Sequence, residues 1–208
     1  MREYLRLMIV LAVISGIAAG TLALVDSFTN PKIEAFKAQS EASAYQQVLP
    51  EADLFTEDTE LMGAITKKPE FSFVQNVKIG TKQGTKVGWV CKVASPGYSS
   101  NIVMLIGINT DGKLGKVKVL DQKESPGLGT NVTDPGFIEQ TAITQANAEQ
   151  ELKVTKDGGE VQAITGATIS SRAVLRGVNQ VFDFHRWQQG QDSAVKVDAV
   201  TDETKLNP

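Results

Sequence analysis

A run of 19 residues without a single charge, LMIVLAVISGIAAGTLALV from Leu7 to Val25, constrains this chain more than any other stretch. A helix of about 20 apolar residues spans the roughly 30 Å hydrocarbon core of a bilayer. The apolar region of a cleavable signal peptide is shorter, about 7–15 residues, and leads into a small-residue cleavage site. Here the run leads into VDSFTNPK, which offers no such site. A core helix of a soluble domain would carry a polar face, and this segment has none. It therefore reads as a retained membrane anchor over 7–25. Arg2 and Arg6 precede it, and the positive-inside rule keeps that end, residues 1–6, in the cytoplasm. The expectation is a single-pass protein of the inner (cytoplasmic) membrane, set among membrane lipid. Its C-terminal domain then faces the periplasm or the cell exterior.

The exported part is poorly stocked for chemistry of its own. The 208 residues hold 21 Lys and Arg against 24 Asp and Glu, a net charge of −3. No basic excess exists to neutralise phosphates, so nucleic acid is excluded as a partner. One cysteine, Cys91, can form neither an internal disulfide nor a Cys-x-x-Cys metal or cluster site. One histidine, His185, leaves a hydrolytic triad or a multi-histidine metal centre without members. No metal site and no catalytic side chain are expected, and a borrowed cofactor becomes attractive.

The pattern along the chain predicts an α+β domain. Asn30-Pro31 is a helix-start signal, and the polar segment after it predicts a connecting helix, within 26–50, that Pro50 ends. Glu51 to Pro69 reads as acidic and irregular. Val87, Trp89, Cys91 and Val93 alternate along a strand, which makes Cys91 a core thiol. Ile102–Ile108, the Asp-Gly turn within Asn109–Lys113 and LGKVKVLD form a hairpin ending at Asp121. Val174, Val178, Val181 and Phe182 give one apolar face to a helix capped by Ser170 or Ser171 and running to about Trp187. His185 falls late on that helix, where it packs or faces solvent. The domain is expected over 51–187, and 188–208 reads as a polar tail without periodicity.

Two stretches are left over. KESPGLGTNV, Lys123–Val132, follows the hairpin; Pro126, Gly127 and Gly129 make a tight loop there. Such a loop is either an ordinary turn or a place where backbone N–H groups approach a ligand, too close at Gly127 or Gly129 for a side chain. Glu124 can accept hydrogen bonds from a heterocycle or orient the loop. The other stretch, AITGATISSRAV from Ala163 to Val174, crowds Thr165, Thr168, Ser170 and Ser171 at a helix start. It is either a capping cluster or a phosphate site built from N–H groups and the helix dipole. Gly166 and Ala167 are too small to shield the backbone there. Lys153, Lys156 and Arg172 read as solvated surface cations.

ESPGLG at Glu124–Gly129 and TGATISS at Thr165–Ser171, with the turn at Pro96–Tyr98 and the N-terminal anchor, resemble an FMN-binding domain over nearly the whole chain. Two membrane complexes share that domain, as the G subunit of the Rnf-type ion-translocating oxidoreductase and the C subunit of the sodium-translocating NADH:quinone reductase. The wording of both motifs and the compact length look more like the G subunit. The resemblance implies an antiparallel sheet with packed helices. It implies FMN joined by a phosphoester to the second threonine of TGAT, Thr168, with a flavin transferase that uses FAD for maturation. It also places Tyr98, Glu124, Ser125, Gly127, Leu128, Gly129, Thr165, Gly166, Ala167, Ile169 and Ser170 around the cofactor. The implied role is a redox subunit that passes electrons between other membrane subunits and is not a complete enzyme alone. Ser125 stands where the family often has Thr. Gln162 stands six residues before Thr168, where the transferase favours Asp. The competing class is an anchored binding or assembly module that carries no flavin.

Overall fold

The structure is a computed structural model that describes residues 2–203, with side chains described except at 34–38, 42 and 191–203. It divides into two compact units, Met1–Ser43 and Ala44–Pro208.

The first unit is helical. It belongs to α1, Arg2–Val48, whose Arg2–Ile33 portion is long and apolar enough to cross a membrane. Leu, Ile and Val side chains stand exposed along that portion, as a lipid-facing helix requires. Two of its hydroxyls bond back to the helix. Thr21 Oγ1 donates to the Ile17 carbonyl and Ser27 Oγ to the Leu24 carbonyl, both at 2.8 Å. The helix start expected at Asn30-Pro31 is not there; Pro31 lies inside α1. A proline removes one backbone bond, here to the carbonyl four residues back, and a long helix survives that loss.

The second unit is a five-stranded antiparallel meander in the order β1-β2-β3-β4-β5. The strands are β1 (Leu54–Glu57), β2 (Val74–Lys82), β3 (Thr85–Pro96), β4 (Asn101–Asn109) and β5 (Leu114–Asp121). The hairpin expected over Ile102–Asp121 is β4–β5, with Ile106 opposite Val117. Both faces of the sheet are covered, which is why β3 and β4 read as nearly continuous apolar runs. On one face Trp89, Cys91, Val93, Met104, Ile106 and Ile108 pack with Val174, Val178, Val181 and Phe182 of α5, Thr168–Glu203. On the other, Val90 and Leu105 pack with Ala44, Tyr45, Val48 and Leu49 at the end of α1. That end sits tightly. A Cβ at Gly107 would collide with the Val48 carbonyl oxygen, so β4 carries glycine where the helix end lands. Burial pushes the Cys91 thiol well up from its ordinary pKa, which keeps it protonated and inert. His185 is buried edge-on to Trp89, ring centroids 5.6 Å apart, with Nε2 3.2 Å from the Thr110 carbonyl oxygen.

Three more expectations change. Glu51–Pro69 is not irregular: it holds the edge strand β1 and α2, Thr59–Ile65, with Asp58 capping α2 by accepting from Leu61 N at 2.9 Å. The expected polar tail instead continues α5 as far as Glu203, a stretch without proline; 204–208 lie outside the described residues. The third is the start of α5. It begins at Thr168, two residues before the earlier of the two expected caps.

Candidate functional site

The site is assembled where the β3–β4 turn, the loop after β5 and the first turn of α5 meet. Glu124 is its hub. The residue is 5% exposed, yet both carboxylate oxygens are engaged. Oε1 accepts from the backbone N–H of Tyr98 at 3.1 Å, Ser99 at 2.9 Å and Ser100 at 3.2 Å. Oε2 accepts from the Ser170 hydroxyl at 2.5 Å. Burial alone would raise the Glu124 pKa; the Ser170 hydroxyl and the N–H groups of Ser99, Ser100 and Tyr98 outweigh it and hold the carboxyl below its ordinary range. Of the two roles open to Glu124, the geometry supports orienting: it fastens a hairpin turn to a helix start.

Gly129 belongs to this knot. A Cβ there would meet Glu124 Cβ at 2.7 Å and Ser170 Oγ at 2.8 Å. The crowding that excludes a side chain here comes from the protein's own Glu124 and Ser170. Gly127 has open space around it and a left-handed φ of 72°. It turns the loop, which bonds to itself through Leu128 N to the Ser125 carbonyl at 3.2 Å and Gly127 N to Thr130 Oγ1 at 3.0 Å.

Ser170 and Ser171 do not cap α5. Both lie inside its first turn. Ser171 Oγ accepts from Ile164 N and donates to the Ala167 carbonyl, each at 3.0 Å, tying the incoming segment to the helix. Ala167 precedes the helix and has no side-chain acceptor to offer. Among the described residues, no side chain accepts from the backbone N–H of Thr168, Ile169 or Ser170. The helix start thus keeps the unpaired donors and positive dipole end that suit a phosphate.

Between these parts lies a cleft of about 490 Å³. Tyr98, Glu124, Ser125, Leu128 and Gly129 line one side, and Gly166, Ala167, Thr168, Ile169 and Ser170 the other. Lys156 also lines it. Its size falls in the range of cofactor pockets, about 300–1,000 Å³. Tyr98, Leu128 and Ile169 are exposed at its rim. Among the described residues beyond α1, the only other exposed large apolar side chain is Leu54. Unburied apolar surface is therefore concentrated at this cleft, as a site for a flat apolar ring requires. A larger hollow of about 600 Å³, lined by Glu139, Gln140, Thr141, Gln145 and Glu160, is polar and lacks such a rim.

Two residues expected at the site stand apart from the cleft. Gly127 is in the loop but not on its lining. Thr165, exposed, lines a neighbouring hollow of about 370 Å³ with Asn131, Asp134 and Gln162. Gln162 is exposed, and its main chain is held by the Gln140 side chain through bonds of 2.8 and 2.9 Å. Lys156 is exposed, as its sequence context implies, and also lines the cleft. No local pattern marks it as cleft-lining, because the chain returns to α5 from a 3₁₀ turn, Thr155–Asp157.

Residues 97–183 match the FMN-binding domain family. At the level of whole chains, the sequence is 35% identical over 184 residues to the G subunit of the Na(+)-translocating ferredoxin:NAD(+) oxidoreductase complex of Acetobacterium woodii, covering 84% of this chain and 87% of that one. It is 30% identical over 190 residues to the G subunit of the ion-translocating oxidoreductase complex of Methanosarcina acetivorans, covering 91% and 98%. The chain belongs to the family of G subunits of ion-translocating oxidoreductase complexes. The crystal structure of Shewanella oneidensis NqrC is similar at a TM-score of 0.47 and 19% identity, over 70% of this chain and 73% of that one.

Proposed function

We propose that this chain is a membrane-anchored flavoprotein subunit that carries electrons on FMN bound covalently through Thr168, within a multi-subunit ion-translocating redox complex. One observation carries the reading: the half-buried Thr168 stands at the start of α5 in the same cleft as the exposed Tyr98, Leu128 and Ile169. The residues present fit the group. The apolar rim suits the ring, and the N–H groups at the start of α5 suit the phosphate. When bound, the flavin supplies one- and two-electron redox chemistry, which the protein's own side chains do not offer.

Attachment balances with FAD as donor in the hands of a flavin transferase. The Thr168 oxygen would bond to the flavin-side phosphorus as the pyrophosphate bond broke, with AMP as leaving group and the threonine proton taken by a base. The anchor fixes the domain in the inner membrane with its C-terminal part outside the cytoplasm, next to the other membrane subunits. The span from Leu7 to Val25 has no charge and so no ion path of its own; ion movement belongs to the assembled complex. The subunit is accordingly a redox relay and not a complete enzyme.

Gln162, in place of the acid that the transferase favours, supports the second reading, an assembly module without flavin. Its side chain is exposed, so the fold does not depend on an acid there. Purifying the full chain from its host and denaturing it separates the readings. Flavin fluorescence that stays with the denatured band supports covalent FMN. Flavin released on denaturation contradicts the covalent bond, and none at all favours the module.

A further inference from the structure

Three cations lie near the start of α5, and the fold treats them differently. Lys153 Nζ is 2.7 Å from Glu151 Oε2. Arg172 is held by Asp157 through two bonds, Nε to Oδ2 at 2.7 Å and Nη2 to Oδ1 at 2.6 Å. Lys156 is exposed and lines the cleft with Thr168. Among the described residues it has no ion-pair partner, and it is the one cation on the cleft lining.

The Asp157–Arg172 pair ties the turn that carries Lys156 to α5. Arg172 is four residues after Thr168, so both side chains leave α5 on one face, a turn apart. Asp157 therefore pins the turn Thr155–Asp157 against the face that carries Thr168. Gly158, with φ 83°, reverses the chain directly after it, closed by Gly158 N to the Thr155 carbonyl at 3.2 Å and Gly159 N to the Val154 carbonyl at 3.1 Å. A lysine beside a pinned aspartate is tethered at its base, and its long stem can place the ammonium over the Thr168 end of the cleft. Glu124, the carboxylate on the same lining, already has both oxygens engaged by the β3–β4 turn and Ser170.

We propose that Lys156 is the counter-ion of the phosphodiester on Thr168, a positioning residue that holds the cofactor's phosphate over the start of α5. The inference rests on the flavin reading above. A phosphodiester keeps one negative charge at neutral pH. The helix start offers it N–H donors and a partial charge; Lys156 supplies the full opposite charge. The residue takes no part in electron transfer.

The test uses the full chain in detergent micelles as wild type, Lys156→Met, Lys156→Arg and Thr168→Val, each incubated with flavin transferase and FAD. Intact mass follows attachment over time, and phosphorus-31 NMR of the loaded chain reports on the phosphodiester itself. Lys156→Met is expected to slow attachment by about two- to fivefold, the range that an exposed charge pair provides. It should also shift the phosphorus resonance, while Lys156→Arg restores both and thermal unfolding is unchanged. The difference between wild type and Lys156→Met should shrink as salt is raised. An unmoved resonance in Lys156→Met overturns the proposal, even if attachment slows, because Lys156 then serves the transferase's footprint. Flavin on wild type but not on Thr168→Val, with Lys156→Met indistinguishable from wild type, sinks the lysine role and leaves the flavin reading standing. No flavin on wild type removes both.

Discussion

Glu124 ties three segments together, so its removal has a cost that can be worked from the geometry. In Glu124→Ala, three backbone N–H groups at Tyr98, Ser99 and Ser100 and the hydroxyl of Ser170 lose their acceptor. A hydrogen bond to a charged group contributes about 1.5–3 kcal/mol, but the losses do not add fully. Tyr98 and Ser99 are exposed, and water replaces the carboxylate there. Ser170 is buried, and its hydroxyl is stranded. The expected cost of Glu124→Ala is about 3 kcal/mol at neutral pH. Glu124→Gln keeps one oxygen for the turn and turns an amide toward Ser170, which can accept, so about 1 kcal/mol is expected. The pH dependence has a definite sign. The folded carboxyl is held below its ordinary value of 4.5, so its contribution is complete above that value and is lost as pH falls through the folded pKa. Urea unfolding of the full chain in detergent, read by Trp89 and Trp187 fluorescence, measures both effects. The gap between wild type and Glu124→Gln should be constant above about pH 5.5 and close as the solution is acidified below 4.5. A cost below about 0.5 kcal/mol for Glu124→Ala, or a gap that does not narrow in acid, refutes the role assigned to the carboxylate.

Gly129→Ala drives a Cβ against Glu124 and Ser170 and should cost about 1–3 kcal/mol, with the cleft distorted as well. Gly127→Ala meets no atoms but forces a left-handed φ of 72°, so about 1–2 kcal/mol is expected with flavin content unchanged; urea unfolding and the flavin-to-protein absorbance ratio distinguish the two, and equal flavin loss in both contradicts the distinction. Ser95 Oγ is buried with no hydrogen-bond partner among the described residues. Ser95→Ala should therefore be neutral or stabilising by up to about 1 kcal/mol in the same assay, and a clear loss of stability means that the hydroxyl has a partner in solution.

The sequence reveals most where a residue's neighbours along the chain decide its fate. The β4–β5 hairpin follows from alternation and an Asp-Gly turn, and the face of α5 from valines at helical spacing. β2 gives no such signal because an irregularity between Val74 and Asn76 resets its alternation, so Val74 and Val77 both point inward at a spacing that fits no simple strand. β1 is four residues long and mostly exposed, which leaves no periodic pattern. The serines at the start of α5 suggest caps, whereas they turn inward to Glu124 and to Ala167. The site divides in the same way. Its two motifs stand out as unexplained local chemistry, and the residues of both meet in one cleft. What joins them does not show in the sequence: Glu124 and Ser170 are 46 residues apart, and only the packing of α5 on the sheet makes them partners. Lys156 is of the same kind, since its turn meets α5 through the pair of its neighbour Asp157 with Arg172, 15 residues on.

Thr165 and Thr168 are hydroxyls three residues apart, and chemistry alone does not choose between them; Thr168 lines the cleft and Thr165 a neighbouring hollow, which supports Thr168 in the proposed attachment. Peptide mass mapping of the chain purified from its host, beside Thr168→Val and Thr165→Val, is the most direct measurement of the attachment. The FMN mass is expected on the peptide carrying Thr168, absent in Thr168→Val and retained in Thr165→Val. FMN mass on Thr165, or persisting in Thr168→Val, contradicts the assignment of the site.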